Sequence, residues 1–287
     1  MTAEDLRPLM LSIAYRMVGS FSEAEDIVQE AFLRLHEAGD VESPKAWLST
    51  VVTRLSIDHL RSARVRREQY PGTWLPEPVV ADPAPDAVVR AESLSLAVLV
   101  LLESLTPVER AVFVLREAFD YGYDEIAAIV DKSQDNVRQL AVRARRHVDE
   151  RRPRFEPSRE QRDELARRFV AALHDGETEA LVELLAADAA FYGDGGGKAP
   201  SVNLAGRDRM IPVLAGFARV GARRGVTVRP VEINGQPGLL GIEPDGTLVA
   251  AWALLISDGA IQAIHGVTNP DKLAHISSTI LPSLPPA

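Results

Sequence analysis

Apolar positions in the first sixty residues recur at helical spacing. Leu6, Leu9, Met10, Ile13, Ala14 and Met17 form one stripe that stops near Gly19, which predicts a first helix. Ser22 reads as the N-cap of a second, with Glu23, Glu25 and Asp26 near its positive start and Ile27, Ala31, Leu33 and Leu35 on its apolar positions. Ser43-Pro44 opens a third, which carries Trp47, Leu48, Val51, Val52 and Leu55 and runs on through Ile57 and Leu60. Between 70 and 88 the period disappears and Pro71, Pro76, Pro78, Pro83 and Pro85 predict an extended linker. Helical spacing resumes at Leu94, Val98, Leu101 and Leu102, and Thr106-Pro107 with Glu109 has the form of a capped helix start. Ile126, Ile129 and Val130, then Val137, Leu140, Ala141 and Ala144, predict two short helices. The turn between them falls at 131–133, where Asp131 can adopt the left-handed conformation.

Beyond Pro157 the pattern changes. Ser158-x-x-Gln161 is a capping box ahead of Leu165, Phe169 and Leu173. A short helix is expected at 178–185, a strand at 189–193, a helix at 208–220, and β-rich runs at 225–233, 238–242, 247–256 and 260–267. Asp258-Gly259 between the last two is a hairpin signal. Helices followed by an antiparallel meander imply an α+β domain distinct from the helical part. The final residues, PSLPPA, read as a disordered tail.

Charge changes the picture only when it is resolved along the chain. The formal net charge of -9 is unpromising for a nucleic-acid binder. Yet residues 43–67 carry six basic groups against one acidic, and residues 128–154 carry eight against four. Between and before these islands lie acidic blocks, with nine acidic against three basic residues in 1–42 alone. Local patches, not the sum, attract phosphates. The absence of cysteine removes disulfides, thiolate-zinc sites and thiol chemistry, and fits a reducing cytoplasm. No apolar run has the length of a membrane span.

The second helix of the 121–146 hairpin leaves Gln134, Asn136, Arg138, Gln139, Arg143, Arg145 and Arg146 largely outside. A helix-turn-helix offers such residues to the major groove, where Arg, Asn and Gln pair with base edges. The early residues suit base reading and the later arginines phosphate contact. In the first island, Arg61, Arg64, Arg66 and Arg67 can neutralise phosphates, and Trp47 at helical spacing reads as core.

The helical blocks, in this order, resemble the extracytoplasmic-function (ECF) group of the bacterial sigma-70 family. EAEDIVQEAFLRLH at 23–36 is similar to the helix by which such factors grip RNA polymerase. SPKAWLSTVVTRLSIDHLRS at 43–62 resembles the promoter-melting and -10 recognition helices, and LTPVERAVFVLREAFDYGYDEIAAIV through VRARRHV resembles the -35 reading domain. The resemblance implies a multidomain chain, with two all-α sigma domains and then an α+β cone of the SnoaL/NTF2-like type. Its boundaries are expected at 1–69 (sigma-2), 70–90 (Pro-rich linker), 91–153 (sigma-4), 158–276 (SnoaL-like) and 277–287 (tail). It also implies core-polymerase contacts by Asp26, Gln29, Glu30 and Arg34 and -10 contacts by Arg54, Asp58, Arg61, Arg64, Arg66 and Arg67. The implied -35 contacts are Gln134, Asn136, Val137, Arg138, Gln139, Arg143, Arg145 and Arg146. Relatives often have asparagine where Arg54 stands.

Three further motifs, Trp74-Leu75-Pro76-Glu77-Pro78, Asp194-Gly-Gly-Gly-Lys198 and Asn269-Pro-Asp-Lys-Leu273, resemble hallmarks of the subgroup with a fused SnoaL-like domain, implicated in control in cis. The resemblance thus gives regulatory roles to Trp74, Asp194, Gly195, Gly196, Gly197, Lys198, Asn269, Pro270, Asp271 and Lys272. The glycine run is not a phosphate loop, since Tyr192 and Ala199 stand where glycine and Ser or Thr are required.

Expected partners are the core polymerase, through its β′ clamp and β flap, and promoter DNA. The C-terminal domain leaves room for a small ligand or a protein regulator, and no membrane, cofactor or metal is expected. The rival reading is a ligand-sensing helix-turn-helix regulator that does not bind polymerase. A SnoaL-like enzyme would need an inward-facing acid or base, for which Asp188 and His265 are the occupants to inspect. No catalytic role is expected.

Overall fold

A computed structural model describes residues 2–80, 94–150 and 158–279, without the side chains of 64–68 and 278–279. The chain divides into two compact units, Met1–Gln69 with Asp86–Leu94 and Val98–Arg152, and Tyr70–Pro85 with Ser95–Ala97 and Pro153–Ala287.

The first unit is helical: α1 (Arg7–Val18), α2 (Phe21–Ala38), α3 (Pro44–Glu68), α4 (Leu96–Leu102, of which Val98 onward belongs to this unit), α5 (Pro107–Phe113), α6 (Tyr123–Val130) and α7 (Gln134–Asp149). Gly19 closes α1 in the left-handed conformation at φ 75°. The cap of α2 is Ser20 and not Ser22: its hydroxyl accepts the Glu23 N–H, while Ser22 bonds Ser20 side chain to side chain. Thr106 and Glu109 form the expected capping box on α5. A π-helical stretch, Val114–Ala118, then widens the helix, which the apolar pattern did not foretell. One continuous core runs from Met10 and Leu48 through Leu115 and Ile126 to Val137 and Ala144, so the elements expected as two sigma domains share an interior.

The second unit contains α8 (Arg159–Asp175), α9 (Thr178–Leu184), α10 (Arg207–Arg224) and α11 (Pro270–Thr279). Its sheet comprises β1 (Leu185–Asp194), β2 (Asn203–Ala205), β3 (Thr227–Ile233), β4 (Gln236–Ile242), β5 (Leu248–Ser257) and β6 (Ala260–Val267). The strand order is β2-β1-β6-β5-β4-β3, antiparallel throughout except for the parallel β1–β6 pair. Asp258 (φ 51°) and Gly259 (φ 73°) make the expected hairpin turn, and Asn234-Gly235 makes an equivalent one between β3 and β4. Phe191, Trp252, Leu254 and Ile264 share one sheet face and pack with Phe169, Leu181, Met210 and Leu214 from α8, α9 and α10. The α+β architecture is the expected one, with two additions, β2 and α11. Because α11 runs to Thr279, the tail expected from 277 begins inside a helix, and 280–287 lies outside the described residues.

Residues 70–80 do not form a free linker. They belong to the second unit, where Val80 bridges Ile233 at the β3 edge and Leu75 and Val80 are buried. The rest of the expected linker, 81–93, falls outside the described residues.

Candidate nucleic-acid and polymerase surfaces and a buried strap site

On α2 the buried positions Ala24, Ile27, Val28, Ala31 and Leu35 turn inward, which aims Asp26, Gln29 and Arg34 at solvent with Glu30 beside them. Arg34 Nε donates to Glu30 Oε1 at 2.8 Å, and Leu33 is 54% exposed on the same helix. An acidic, partly apolar face of this kind repels DNA and suits a basic protein partner.

Helix α3 presents Asp58 and Arg61, an exposed pair at 3.0 Å. Arg64, Arg66 and Arg67 lie outside the described side chains. Arg54 is already engaged: its Nε donates to the Ile129 carbonyl at 2.9 Å and its Nη2 to that of Ala128 at 3.1 Å. These are terminal carbonyls of α6, left without partners by the end of the helix. Asparagine at this position is shorter and lacks the guanidinium fork that reaches both carbonyls at once.

In the hairpin, Asp131 takes φ 53° as expected, and the Ser133 hydroxyl caps α7 by accepting the Asn136 N–H. Gln134, Asn136, Arg138, Gln139, Arg143, Arg145 and Arg146 are all exposed. Val137 is not: it is fully buried, so it supports the hairpin and cannot touch DNA. The arginines are held out by carboxylates, Arg138 by Asp135, Arg143 by Glu109, Arg145 by Glu117 and Arg146 by Glu150. Exposed pairs of this kind are worth at most about 1 kcal/mol each, so phosphates can replace the carboxylates at small cost.

A dense polar site is built around Asp194, which is wholly buried at the end of β1. Its Oδ1 accepts the Tyr70 hydroxyl at 2.6 Å and the Gly196 N–H at 3.0 Å. Its Oδ2 accepts the Leu75 N–H at 2.8 Å and Lys272 Nζ at 2.7 Å. Lys272 also donates to the Leu75 carbonyl and lies 4.2 Å from the centroid of the Trp74 ring. Asn269 Nδ2 donates to the Tyr70 hydroxyl at 2.9 Å. Burial and the Asp194 bond both raise the Tyr70 pKa, burial the more. Further along, the Val79 N–H donates to Asn234 Oδ1 at 3.0 Å and the Asn234 N–H to the Val79 carbonyl at 2.8 Å. Residues 70–80 are thus a strap fastened at both ends.

The glycine run fits this strap. Gly196 (φ +58°) has Asn269 Nδ2 at 2.3 Å and the Tyr70 hydroxyl at 3.0 Å from where a Cβ would sit, and at Gly197 (φ +71°) Pro71 Cγ would be 2.8 Å away. Lys198 stands apart in an exposed ion pair with Asp271. Pro270 is the first residue of α11.

The enzyme reading finds no footing in these positions. Asp188 is exposed. His265 is buried, but it pairs with Tyr192 and Ala253, one residue out of step with Phe191, Leu254 and Ile264, so strand alternation puts it on the sheet face away from α8 to α10. Burial drops its pKa to about 4, its Nδ1 has no partner among the described residues, and its ring stacks on Tyr192. No group of His, Asp and Glu among the described residues could hold a metal ion.

Comparison with known proteins gives the family. Sigma-70 region 2 matches residues 2–66 and sigma-70 region 4 matches residues 95–148. The ECF RNA polymerase sigma factor SigJ of Mycobacterium tuberculosis is 39% identical, over 94% of this chain and 91% of that protein. The chain belongs to the ECF sigma factors. The probable ECF sigma factor SigI of the same species is 34% identical over 93% of this chain and 92% of its own length. The crystal structure of SigJ superimposes with a TM-score of 0.78 at 35% identity, covering 94% of this chain and 96% of that one. These relatives extend well past residue 148, where the match to sigma-70 region 4 ends.

For this sigma factor the sequence identified the hairpin and the acidic helix. It missed the employment of Arg54 within the chain and the strap contacts of Tyr70, Leu75, Val79 and Asn234. Tyr70 carried a signal of its own, as an aromatic with a polar tip just ahead of the proline run, and Asn234-Gly235 was a turn signal.

Proposed function

We propose that this sigma factor docks on the β′ clamp of core RNA polymerase through Asp26, Gln29, Glu30 and Arg34 of α2, with the hairpin region on the β flap. In the same reading α3 serves the -10 element through Arg54, Asp58, Arg61, Arg64, Arg66 and Arg67. Gln134, Asn136, Arg138 and Gln139 of α7 read the -35 element, and Arg143, Arg145 and Arg146 hold phosphate. The roles are those expected of the sigma-2, sigma-4 and SnoaL-like regions, with residues 70–80 counted to the C-terminal unit, and the work is done in the cytoplasm, where the polymerase is. What supports the reading is the pairing of an exposed acidic face with two basic helices in a chain of this family.

The C-terminal unit controls this activity in cis by holding the strap. The observation that carries the proposal is Asp194, whose four acceptor sites are filled and two of them by the strap. The chain between α3 and α4 must allow the two reading helices to reach elements about 25 base pairs, roughly 85 Å, apart. Fully extended, residues 69–95 span about 90 Å, whereas 81–95 alone span about 50 Å. A docked strap therefore restrains the chain and a released one frees it. A small ligand or protein regulator of the C-terminal unit would act by loosening Trp74, Asp194, Gly195 to Lys198 or Asn269 to Lys272.

Core-polymerase capture and transcription from a cognate promoter test both parts. Asp26→Lys with Glu30→Lys should lose core binding at unchanged helicity, and Asp194→Asn should raise transcription by the full chain. A chain that neither binds core polymerase nor redirects it overturns the first part, and an unchanged transcription level in Asp194→Asn overturns the second.

A further inference from the structure

Helices α3 and α7 belong to one compact unit with one core. A unit of about 130 residues has a radius of gyration of roughly 14 Å and a diameter of about 36 Å. That is less than half of the roughly 85 Å between the centres of two elements 25 base pairs apart. In this arrangement the helical unit cannot engage both elements at once.

The seam that keeps α3 against the hairpin is fastened by polar groups. The Ser49 and Tyr121 hydroxyls meet at 2.6 Å in the interior. The Thr53 hydroxyl, one turn along α3 from Ser49, is buried and without a partner among the described residues. Arg54 then bonds the Ala128 and Ile129 carbonyls of α6. Helix α6 has no basic residue in its own last turn, so the cation that complements the negative end of its dipole comes from α3. Arg54 is also exposed, so it can leave these carbonyls to water without stranding a buried charge.

We propose that Arg54 is the latch of a closed, promoter-excluding form of the helical unit, released when α3 and the hairpin part. Its significance rests on the promoter roles given above to α3 and α7. Its test does not, because it uses the free full-length chain without DNA or polymerase. The chain has no cysteine, so Ala38→Cys and Val142→Cys, both at exposed positions, accept a pair of spin labels at unique sites. Pulsed electron-spin distance measurement should give one short, narrow distribution in the parent. Arg54→Ala should add a longer population, with the open-to-closed ratio rising roughly tenfold or more. Arg54→Lys should fall between, since an ammonium supplies the charge but not the fork that spans two carbonyls. Circular dichroism checks that helix content is kept. If Arg54→Ala loses helix content, Arg54→Lys alone decides. Distributions in the variants that superimpose on the parent's overturn the proposal, as does a parent that is already broadly open.

Discussion

Asp194→Asn isolates the energetics of the strap. All four partners of this carboxylate are donors: the Tyr70 hydroxyl, the Gly196 and Leu75 N–H groups and the Lys272 ammonium. Asparagine keeps the shape but turns an NH2 group toward two of them. It also leaves Lys272, with a side chain only 8% exposed, without its counter-charge. Breaking one side of a buried pair costs about 3–5 kcal/mol. Rearrangement can recover part of that only by letting the strap go, so the loss should appear as undocking of 70–80. At about 1.4 kcal/mol per decade, the Leu75 amide should exchange with solvent about two to three and a half orders of magnitude faster. The Val79 amide, bonded to Asn234 at the other end, should follow less steeply. Fragment-resolved hydrogen exchange of the full chain reads both. Asp194→Asn with Lys272→Met, which removes the stranded charge, should recover part of the protection. A Leu75 amide that exchanges in Asp194→Asn within threefold of the parent rate, at intact fold, would refute the reasoning.

Three further outcomes are expected. Gly196→Ala combines a left-handed backbone with a Cβ driven into Asn269, so it should expose the strap in the same exchange measurement, whereas Gly259→Ala, which meets only open space at φ +73°, should not. His265 and His275 have pKa values lowered to about 4, chiefly by burial. The unfolded chain therefore takes up protons first, near pH 6.5, and stability of the C-terminal unit falls as pH drops from about 6.5 to 4, by up to about 3 kcal/mol per histidine. Calorimetry should show this slope, and His265→Gln should flatten it. Arg138→Ala should cost on the order of 1–3 kcal/mol at cognate -35 DNA and little elsewhere, measured by competition binding of the polymerase holoenzyme, whereas an equal loss on all sequences would make it a phosphate contact.

The features legible in the sequence were those that repeat. The stripe Val137, Leu140, Ala141, Ala144 announced a helix, and Asp131 announced its turn, because an amphipathic helix writes its period into the chain. Strap residues 70–80 have no period, since they are held by side chains distant in sequence and not by a ladder of their own. Their prolines therefore read as a linker. Arg54 shows the same limit: its place on α3 was legible, but the carbonyls it serves are brought to it only by folding. Val137 was credited to DNA although its own spacing placed it in the core stripe.

The parallel pairing of β1 with β6 sets Asp194 opposite Val267, so that the Thr268 and Asn269 N–H groups bond the Asp194 carbonyl. Two motifs far apart in sequence thus emerge side by side from neighbouring strand ends. The meander between them, from β3 to the β5–β6 hairpin, can change in loop length and surface chemistry without shifting the strand ends that hold the strap. Under the control in cis proposed above, the loops of this unit could diverge to meet different signals while one fastening at the strand ends stayed the same.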